Sequence, residues 1–343
     1  MDAAVAAALC LGVVSPGSSG LGGGSFLLFY NETSKSSVFV DGRETAPQAA
    51  HQTMYVTDPL LSYGGGLAIA VPGQIHALHK AWELHGKASW YDIVIPSAKL
   101  ARRFQVSSTL AGHIKKVERE LLTDRRYSHL RTFLSGRYNR LAKAGEYLEN
   151  IPLSDTLTYI AARGPSHFYT SHDAIDLIQE ITDAGGVMTT DDLEAYSAVV
   201  RDAVVAETMG YTYYGAPPPS SGGLTLASIL MYLDGFSTPL VSQGGVYFHH
   251  LVEAFKHAFA MRMSLGDPDF VDVTNISEAM LDVEYIDLLR EGDGDYSVRA
   301  NLEDYGGEEA VGNKHGRRMV EDHGTSHLRY FRSSCIIYKN FLH

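Results

Sequence analysis

A chain of 343 residues with 45% hydrophobic and 20% charged residues has the composition of an ordinary folded protein, long enough for a sizeable core in one to three domains. Its formal net charge of −12, from 28 Lys and Arg against 40 Asp and Glu, argues against a nucleic-acid or anionic-membrane binder and favours a protein that acts on a small molecule. The two cysteines, Cys10 and Cys335, make neither a disulfide framework nor a zinc spacing, and no apolar run reaches the roughly 18 residues of a membrane span.

In chain order, residues 2–14 (DAAVAAALCLGVV) predict a helix of small residues, closed by the breaker cluster SPGSSGLGGGS. The run from Ala3 to Val14 looks like a secretory signal core, but Asp2 stands where a basic segment belongs. A buried, tightly packed helix is the better reading. FLLFY (26–30) and SVFVDGR (37–43) read as strands around NETSK. SYGGGLAIAVPG (62–73) reads as a glycine-bounded strand. Residues 75–86 predict a helix with Ile75, Leu78, Ala81 and Trp82 on one face and Gly86 as its stop.

Helices are expected over 91–104, 109–122, 127–143, 154–163 and 171–184. A Gly-Gly stop and an acidic cap then lead into a short helix within 185–202. Strands are expected within 203–216, followed by a helix over 223–236 entered from the stiff PPPSSGG. The helix over 246–262 places Leu251, Phe255, Ala258 and Phe259 on one stripe, with Lys256 and Arg262 free to face solvent. Residues 291–323 are polar, charged and glycine-rich and read as a mobile connection. Helices interleaved with strands, without internal repeats, make the class α/β or α+β in layers.

Four groups of residues are candidates for chemistry. Arg43, in RETAP (43–47), offers a planar fork of donors suited to a carboxylate; the plainer reading is a structural pair with a neighbouring Glu. GSSGLGGGS (17–25) could cradle an anion, but its glycines fit neither nucleotide-binding spacing, so close backbone packing is the better reading. His249, Glu253 and His257 recur every four residues, yet no H-E-x-x-H is present. A solvated helix face is preferred to a metal site there, as it is for His76, His79 and His85, and neither metal nor cofactor is expected. Thr325, in GTSHL (324–328), follows a long polar tether and precedes β-prone residues. A threonine freed at its N-terminus carries nucleophile and base together, because its α-amine titrates at about 7.7–8.0.

Eight ordered blocks resemble the γ-glutamyltransferase family: DAAVAAALCLGVVSPGSSGLGGGSF, RETAP, GLAIAVPG (66–73), W–x₇–W–x₄–I–P (82–96), LSDTLTYIAARGPSHFY (153–169), GGVMTTDDLEAY (185–196), PPPSSGGLTL (217–226), and LVEAFKHAFAMR with LGDPDF (251–270). The resemblance runs over nearly all of residues 2–328. It implies an N-terminal-nucleophile hydrolase with a four-layer αββα sandwich, made as a precursor that cleaves itself before a threonine. Thr325 stands at the position of that nucleophile, which takes the γ-glutamyl group of glutathione and passes it to water, an amino acid or a dipeptide. Arg43 stands at the position that holds the α-carboxylate of the glutamyl group.

The departures are local. Family chains continue past the threonine for roughly another subunit, with a motif S-x-T-x-T-I-N, whereas here RYFRSSCIIYKNFLH follows; RRFQV (102–106) also lacks a glycine often seen in the family. The expected organisation is a large-subunit region over 1–323, its last part (291–323) the connection, the start of the small subunit at 324–328, and a divergent tail at 329–343. The small subunit and the acceptor substrates would be the partners, a sheet edge or face would be left open and apolar, and this stretch alone would have little activity. The alternative is a non-catalytic relative that only binds. Two sequons, at Asn31 and Asn275, agree with the family's place outside the cell, although no signal or anchor is read in this sequence.

Overall fold

The computed structural model describes the chain apart from residues 124–129, 131–132, 136–139, 237–243, 295–296, 301, 306–326, 333–334 and 343. The chain divides into two compact units. One comprises Met1–Leu27, Val40–Val200 and Asp322–His343, and the other Leu28–Phe39 and Arg201–Glu321. Helices and strands interleave along the chain, as the sequence implies.

A five-stranded sheet runs in the order His327–Arg332, Cys335–Leu342, Gly24–Asn31, Ser36–Gly42, Val199–Arg201. Its first two strands pair antiparallel, from His327 opposite Asn340 to Arg332 opposite Cys335. The strands around NETSK thus form as expected. Val199 and Val200 lie exposed on the short strand at one edge of the sheet.

In the first unit, the Asp2–Val14 helix has almost no long side chain and so packs its backbone close to the Trp90–Arg102 helix. Ala4, Val5, Ala8, Leu9 and Val13 are buried, which supports the packed-helix reading. Its N-terminal carboxylate, Asp2, accepts hydrogen bonds from the backbone N–H groups of Lys87 and Ala88 at 2.9 and 3.0 Å. Cys10 Sγ lies 3.3 Å from Ser97 Oγ on the facing helix. The Trp90–Arg102 helix starts at Ser89, whose hydroxyl accepts from the Asp92 N–H, and packs in turn on the Ile151–Arg163 helix. The Trp90 indole N–H closes that contact on the Ile160 carbonyl at 3.0 Å. The Gln74–His85 helix buries Ile75, Leu78 and Ala81, the face its spacing predicts.

In the second unit, the Val204–Thr208 and Tyr211–Gly215 strands form an antiparallel hairpin, with Val204 opposite Gly215. The Gly222–Asp234 and Gly245–Arg262 helices pack on each other, and Ala227, Tyr232, Ala254, Ala258 and Ile286 make the core there. PPPSSGG enters the first of these helices through a cis Pro218–Pro219 bond. A Cβ at Gly223 would lie 2.1 Å from the Ala216 carbonyl oxygen, so only glycine fits that approach.

Four expectations fail. Residues 62–73 form no strand: the 3-10 turn Pro59–Ser62 leads in, Gly66–Ala68 makes a second, and Val71 pairs only in an isolated bridge with Thr45. Three successive glycines at 64–66 break the extension that the flanking apolar residues favour. The helix expected over 109–122 is two, Ser108–Lys116 and Glu118–Thr123. Within 127–143 the described residues hold short antiparallel strand pairs, Leu134–Ser135 with Arg140–Leu141, in place of a helix.

The fourth concerns Gly245–Arg262, which is polar inside and aromatic outside. Phe255 and Phe259 are exposed, at 42% and 52%, whereas Glu253 is fully buried and His250 and His257 nearly so. A solvated face for His249, Glu253 and His257 is therefore wrong. The polar groups are buried because residues following the Val283–Glu291 helix answer them. His257 Nε2 and the Tyr232 hydroxyl donate to Asp293 Oδ2 at 2.8 and 2.6 Å, and Arg299 Nε donates to Oδ1 at 2.6 Å. The Tyr305 hydroxyl donates to Glu253 Oε2 at 2.7 Å and accepts from Lys256 Nζ. Burial works to raise the Asp293 pKa, but these donors outweigh it and hold the carboxyl below its ordinary value. Most of the expected connection over 291–323 lies outside the described residues, but Asp293, Arg299 and Tyr305 are anchored by this network.

Replacing Asp293 by Ala would leave the buried His257 and the partly buried Arg299 beside an uncompensated gap. We predict a loss of about 3–5 kcal/mol of unfolding free energy, as for removal of one member of a buried ion pair. Urea denaturation of parent and variant measures it.

Candidate functional site

Arg43, in the first unit, directly follows the Ser36–Gly42 strand. Its backbone is fixed from several sides. The Arg43 N–H donates to Asp41 Oδ1 at 3.0 Å, and its carbonyl accepts from the Tyr196 hydroxyl at 2.8 Å. Two residues on, Thr45 and Val71 exchange both backbone hydrogen bonds, at 3.3 and 2.8 Å. Beyond Pro47, the Gln48 N–H donates to Asp192 Oδ1 at 2.8 Å. Asp192 also completes the capping box of the Thr190–Ala195 helix by accepting from Thr189.

Two glycines let these elements meet. A Cβ on Gly73 would sit 2.1 Å from the Tyr196 hydroxyl and 2.3 Å from the Gly42 carbonyl oxygen. One on Gly24 would sit 2.5 Å from that same carbonyl oxygen and 2.6 Å from Glu44 Oε2. The Gly23 carbonyl accepts from both Gly73 N–H and Gln74 N–H. The close-packing reading of residues 17–25 therefore holds at Gly24, while Gly20 and Gly22 have open space where a Cβ would stand.

The side chain of Arg43 is treated in the opposite way from its backbone. It is about half exposed, and among the described residues its one ionic neighbour is Glu44, with Nε 3.9 Å from Oε2. That distance is too long for a hydrogen bond. The guanidinium thus keeps its donors for another acceptor, on a backbone that cannot swing. A carboxylate is the acceptor whose two oxygens match the fork.

Behind this loop stands an aromatic wall. Tyr169 and Tyr196 stack with ring centroids 5.8 Å apart, and His76 meets each edge-on at 6.0 Å. The Tyr169 hydroxyl donates to the Pro72 carbonyl at 2.9 Å, and His76 Nδ1 accepts from the Ala198 N–H at 3.1 Å. Burial raises both tyrosine pKa values, helped at Tyr196 by Tyr169, Asp41 and Glu44, so both phenols stay protonated donors. Burial lowers the pKa of His76, with Lys80 acting in the same sense. His76 is thus a half-buried, neutral acceptor rather than part of a solvated face, and burial likewise lowers His79 and His85.

Gly324 and Thr325 lie outside the described residues. No group of three His, Cys, Asp or Glu placed to hold a metal ion occurs among the described residues. The concavities lined by Lys115 and Lys143 and by Asp272 and Asn275 do not include Arg43. Sequence reasoning did not assign Tyr196, Asp192, Tyr169 or His76 to this site. The blocks that carry the first three were recognised, but separations of 144 and 153 residues between partners leave no mark in local spacing.

His76 gives the site a pH dependence with a definite sign. Its folded pKa lies below the unfolded value of about 6.5, so the unfolded chain binds more protons between the two. Its contribution is fully present above about pH 6.5 and is lost as pH falls through the depressed folded value. Urea midpoints at pH 7.5 and 5.5 should show lower stability at acid pH, with a smaller difference in His76→Gln, whose amide oxygen can still accept from Ala198.

Comparison with known proteins gives a consistent result. A family model described as gamma-glutamyltranspeptidase matches residues 1–333. Glutathione hydrolase 2 of Arabidopsis thaliana is 41% identical over 330 residues, covering 96% of this chain and 55% of that protein. Glutathione hydrolase 3 of the same organism is 40% identical over 283 residues, covering 82% and 44%. The chain spans about half the length of these curated relatives. Among solved structures, the gamma-glutamyltranspeptidase of Helicobacter pylori superposes with a TM-score of 0.83 at 27% identity, over 92% of this chain and 90% of that one. The enzyme of Pseudomonas nitroreducens, complexed with L-DON, gives 0.77 at 31% identity, over 88% and 89%. The layered fold of the N-terminal-nucleophile hydrolases is thereby shared, and the chain belongs to the gamma-glutamyltranspeptidase family.

Proposed function

We propose that this chain is the large-subunit portion, with the start of the small subunit, of a γ-glutamyltransferase that acts as a glutathione hydrolase. The observation that carries this reading is Arg43. Its backbone is clamped by Tyr196, Asp41 and the Thr45–Val71 bridge, while its guanidinium is left with donors to spare. In this reading the α-carboxylate of a γ-glutamyl donor takes the fork, which places the γ-carbonyl at a fixed distance from a protein anchor. Residues 1–323 then form the large-subunit region, with the nucleophile at Thr325 in 324–328 and residues 329–343 beyond it.

The chemistry would proceed in two acyl transfers. Scission of the Gly324–Thr325 bond frees the Thr325 amine. The hydroxyl attacks the γ-carbonyl, the amine takes its proton, and the amide nitrogen of the donor leaves with a proton, giving a γ-glutamyl ester on Thr325. Water, an amino acid or a dipeptide then attacks the ester and restores the hydroxyl. Coverage supports such a division: the chain matches 90% of the Helicobacter chain but 55% of glutathione hydrolase 2. That pattern is expected if the precursor separates near this point. The small subunit would be the partner and would supply further substrate contacts.

Arg43→Lys, made in a chain that carries the C-terminal half of its relatives, keeps the charge and loses the fork. We predict a KM for a γ-glutamyl anilide raised by about 10- to 100-fold, the scale of one hydrogen bond to a charged group, with self-cleavage retained. An unchanged KM would contradict the assignment.

The extracellular location is part of the same proposal. Among the described residues no helix is long and apolar enough to cross a membrane. Asn31 ends a strand, and its side-chain oxygen accepts from the Thr33 N–H at 3.0 Å in a tight surface turn, a form open to glycosylation. Asn275 lies in the short Thr274–Ala279 helix and is the poorer acceptor. Protein from a secretory host should gain gel mobility on deglycosylation, and Asn31→Gln should remove most of that gain.

A further inference from the structure

The chain is acidic as a whole, yet its cations are unevenly spread. Residues 115–143 hold nine of the 28 Lys and Arg against three Asp and Glu. Arg125, Arg126, Arg131 and Arg137 of this group lie outside the described residues. The other five lie on neighbouring elements. Lys115 and Lys116 end the Ser108–Lys116 helix, Arg119 follows on the next helix, and Arg140 and Lys143 come from the short strand and turn beyond.

Lys115, Arg140 and Lys143, with Glu118, line a concavity of about 350 Å3. The apolar part of its lining is aliphatic, from Ala111, Leu141, Ala142 and Ala144. The charges are not equally free. Arg140 forks onto Glu146 at 2.7 and 3.1 Å, and that contact, with the Lys143 N–H, holds the Glu146 carboxyl at about 2. Lys115 pairs with Glu118 on the surface, an exposed contact that contributes little and exchanges readily. The Lys143 ammonium makes no salt bridge among the described residues, although its charge acts on Glu146, and Lys116 and Arg119 are exposed on the same two helices.

We propose that this cleft binds an acidic polysaccharide, a sugar polymer that carries carboxylates or sulfates. Cations spaced around a concavity meet charges spaced along a polymer, and methyl-lined walls suit the C–H faces of sugar rings. The volume lies at the small end of ligand pockets, so the cleft takes a short stretch of chain while Lys116 and Arg119 face the flanking charges. Single-stranded nucleic acid would want aromatic platforms for its bases, and the nearby Tyr147 ring is already covered by the Arg103 guanidinium at 4.2 Å. A bilayer would want a broad apolar helix face to insert, but Leu110 and Ile114 of the Ser108–Lys116 helix are buried, and the Glu118–Thr123 helix buries Leu121 and exposes Leu122, with Val117 half-exposed between the two helices. The proposal is independent of the γ-glutamyl chemistry, because it uses none of the residues around Arg43.

Surface-immobilised heparin and polygalacturonate test it with the whole chain. Phosphatidylserine-containing vesicles and single-stranded DNA run as competing surfaces. The parent should bind at least one polysaccharide, with affinity falling as salt rises. Lys115→Ala combined with Lys143→Ala should weaken binding by about tenfold or more, whereas Glu118→Gln should strengthen it by freeing Lys115. Lys99→Ala, exposed on the Trp90–Arg102 helix, should bind as the parent does. The proposal is overturned by failure to bind either polysaccharide, by tighter binding to vesicles or DNA, or by an unchanged affinity in the double variant. A Glu118→Gln chain that binds no better would count equally against it, and this variant removes no packed group.

Discussion

The hydrogen bond from the Tyr196 hydroxyl to the Arg43 carbonyl, 2.8 Å long, joins the end of a sheet strand to a residue 153 positions away. It forms only because Gly73 lacks a Cβ, since any larger residue would place a carbon against that hydroxyl. Tyr196 is oriented in turn by its stack on Tyr169, whose own hydroxyl holds the Pro72 carbonyl beside Gly73. The clamp is thus closed on itself: each aromatic hydroxyl restrains the backbone that makes room for the other. Its result is an arginine whose backbone is fixed and whose guanidinium keeps its hydrogen-bonding capacity, so that the root of the side chain is preorganised for a small charged ligand.

The second unit solves a different problem. Its Gly245–Arg262 helix buries Glu253, His250 and His257 where apolar side chains would pack more simply. Such burial is tolerable only when charged groups have partners, and Asp293 and Tyr305 supply them to His257 and Glu253, with Asp293 held in turn by Tyr232 and Arg299. Directional contacts of this kind fix the path of the chain after the Val283–Glu291 helix more tightly than an aliphatic core would. The residues that complete the network lie 36 to 52 positions beyond the helix side chains they answer.

Much of this was legible in the sequence where the signal was local. The packed Asp2–Val14 helix, the strand pair around NETSK, the apolar face of Gln74–His85 and the hairpin at 204–215 follow from composition, period and turn residues. The resemblance pointed to Arg43 because RETAP is a contiguous motif. What stayed hidden was the long-range part. Periodicity marked Phe255 and Phe259 as core and His257 as surface, and tertiary partners reversed both. The strand expected at 62–73 was misread because its apolar residues satisfy the strand pattern while its glycines do not. Net charge is also an average: −12 over the chain conceals a basic stretch at 115–143.

In the proposed reading a carboxylate anchor at Arg43 and a nucleophile at Thr325 meet on one substrate, and the covalent intermediate tests that union most directly. A chain carrying the C-terminal half of its relatives, quenched in acid during turnover of a γ-glutamyl anilide, can be mapped by peptide mass spectrometry. The predicted result is a fragment whose N-terminal residue is Thr325 and whose mass includes one γ-glutamyl group on that residue. An active protein with an intact Gly324–Thr325 bond, or with the acyl group on another residue, would contradict it.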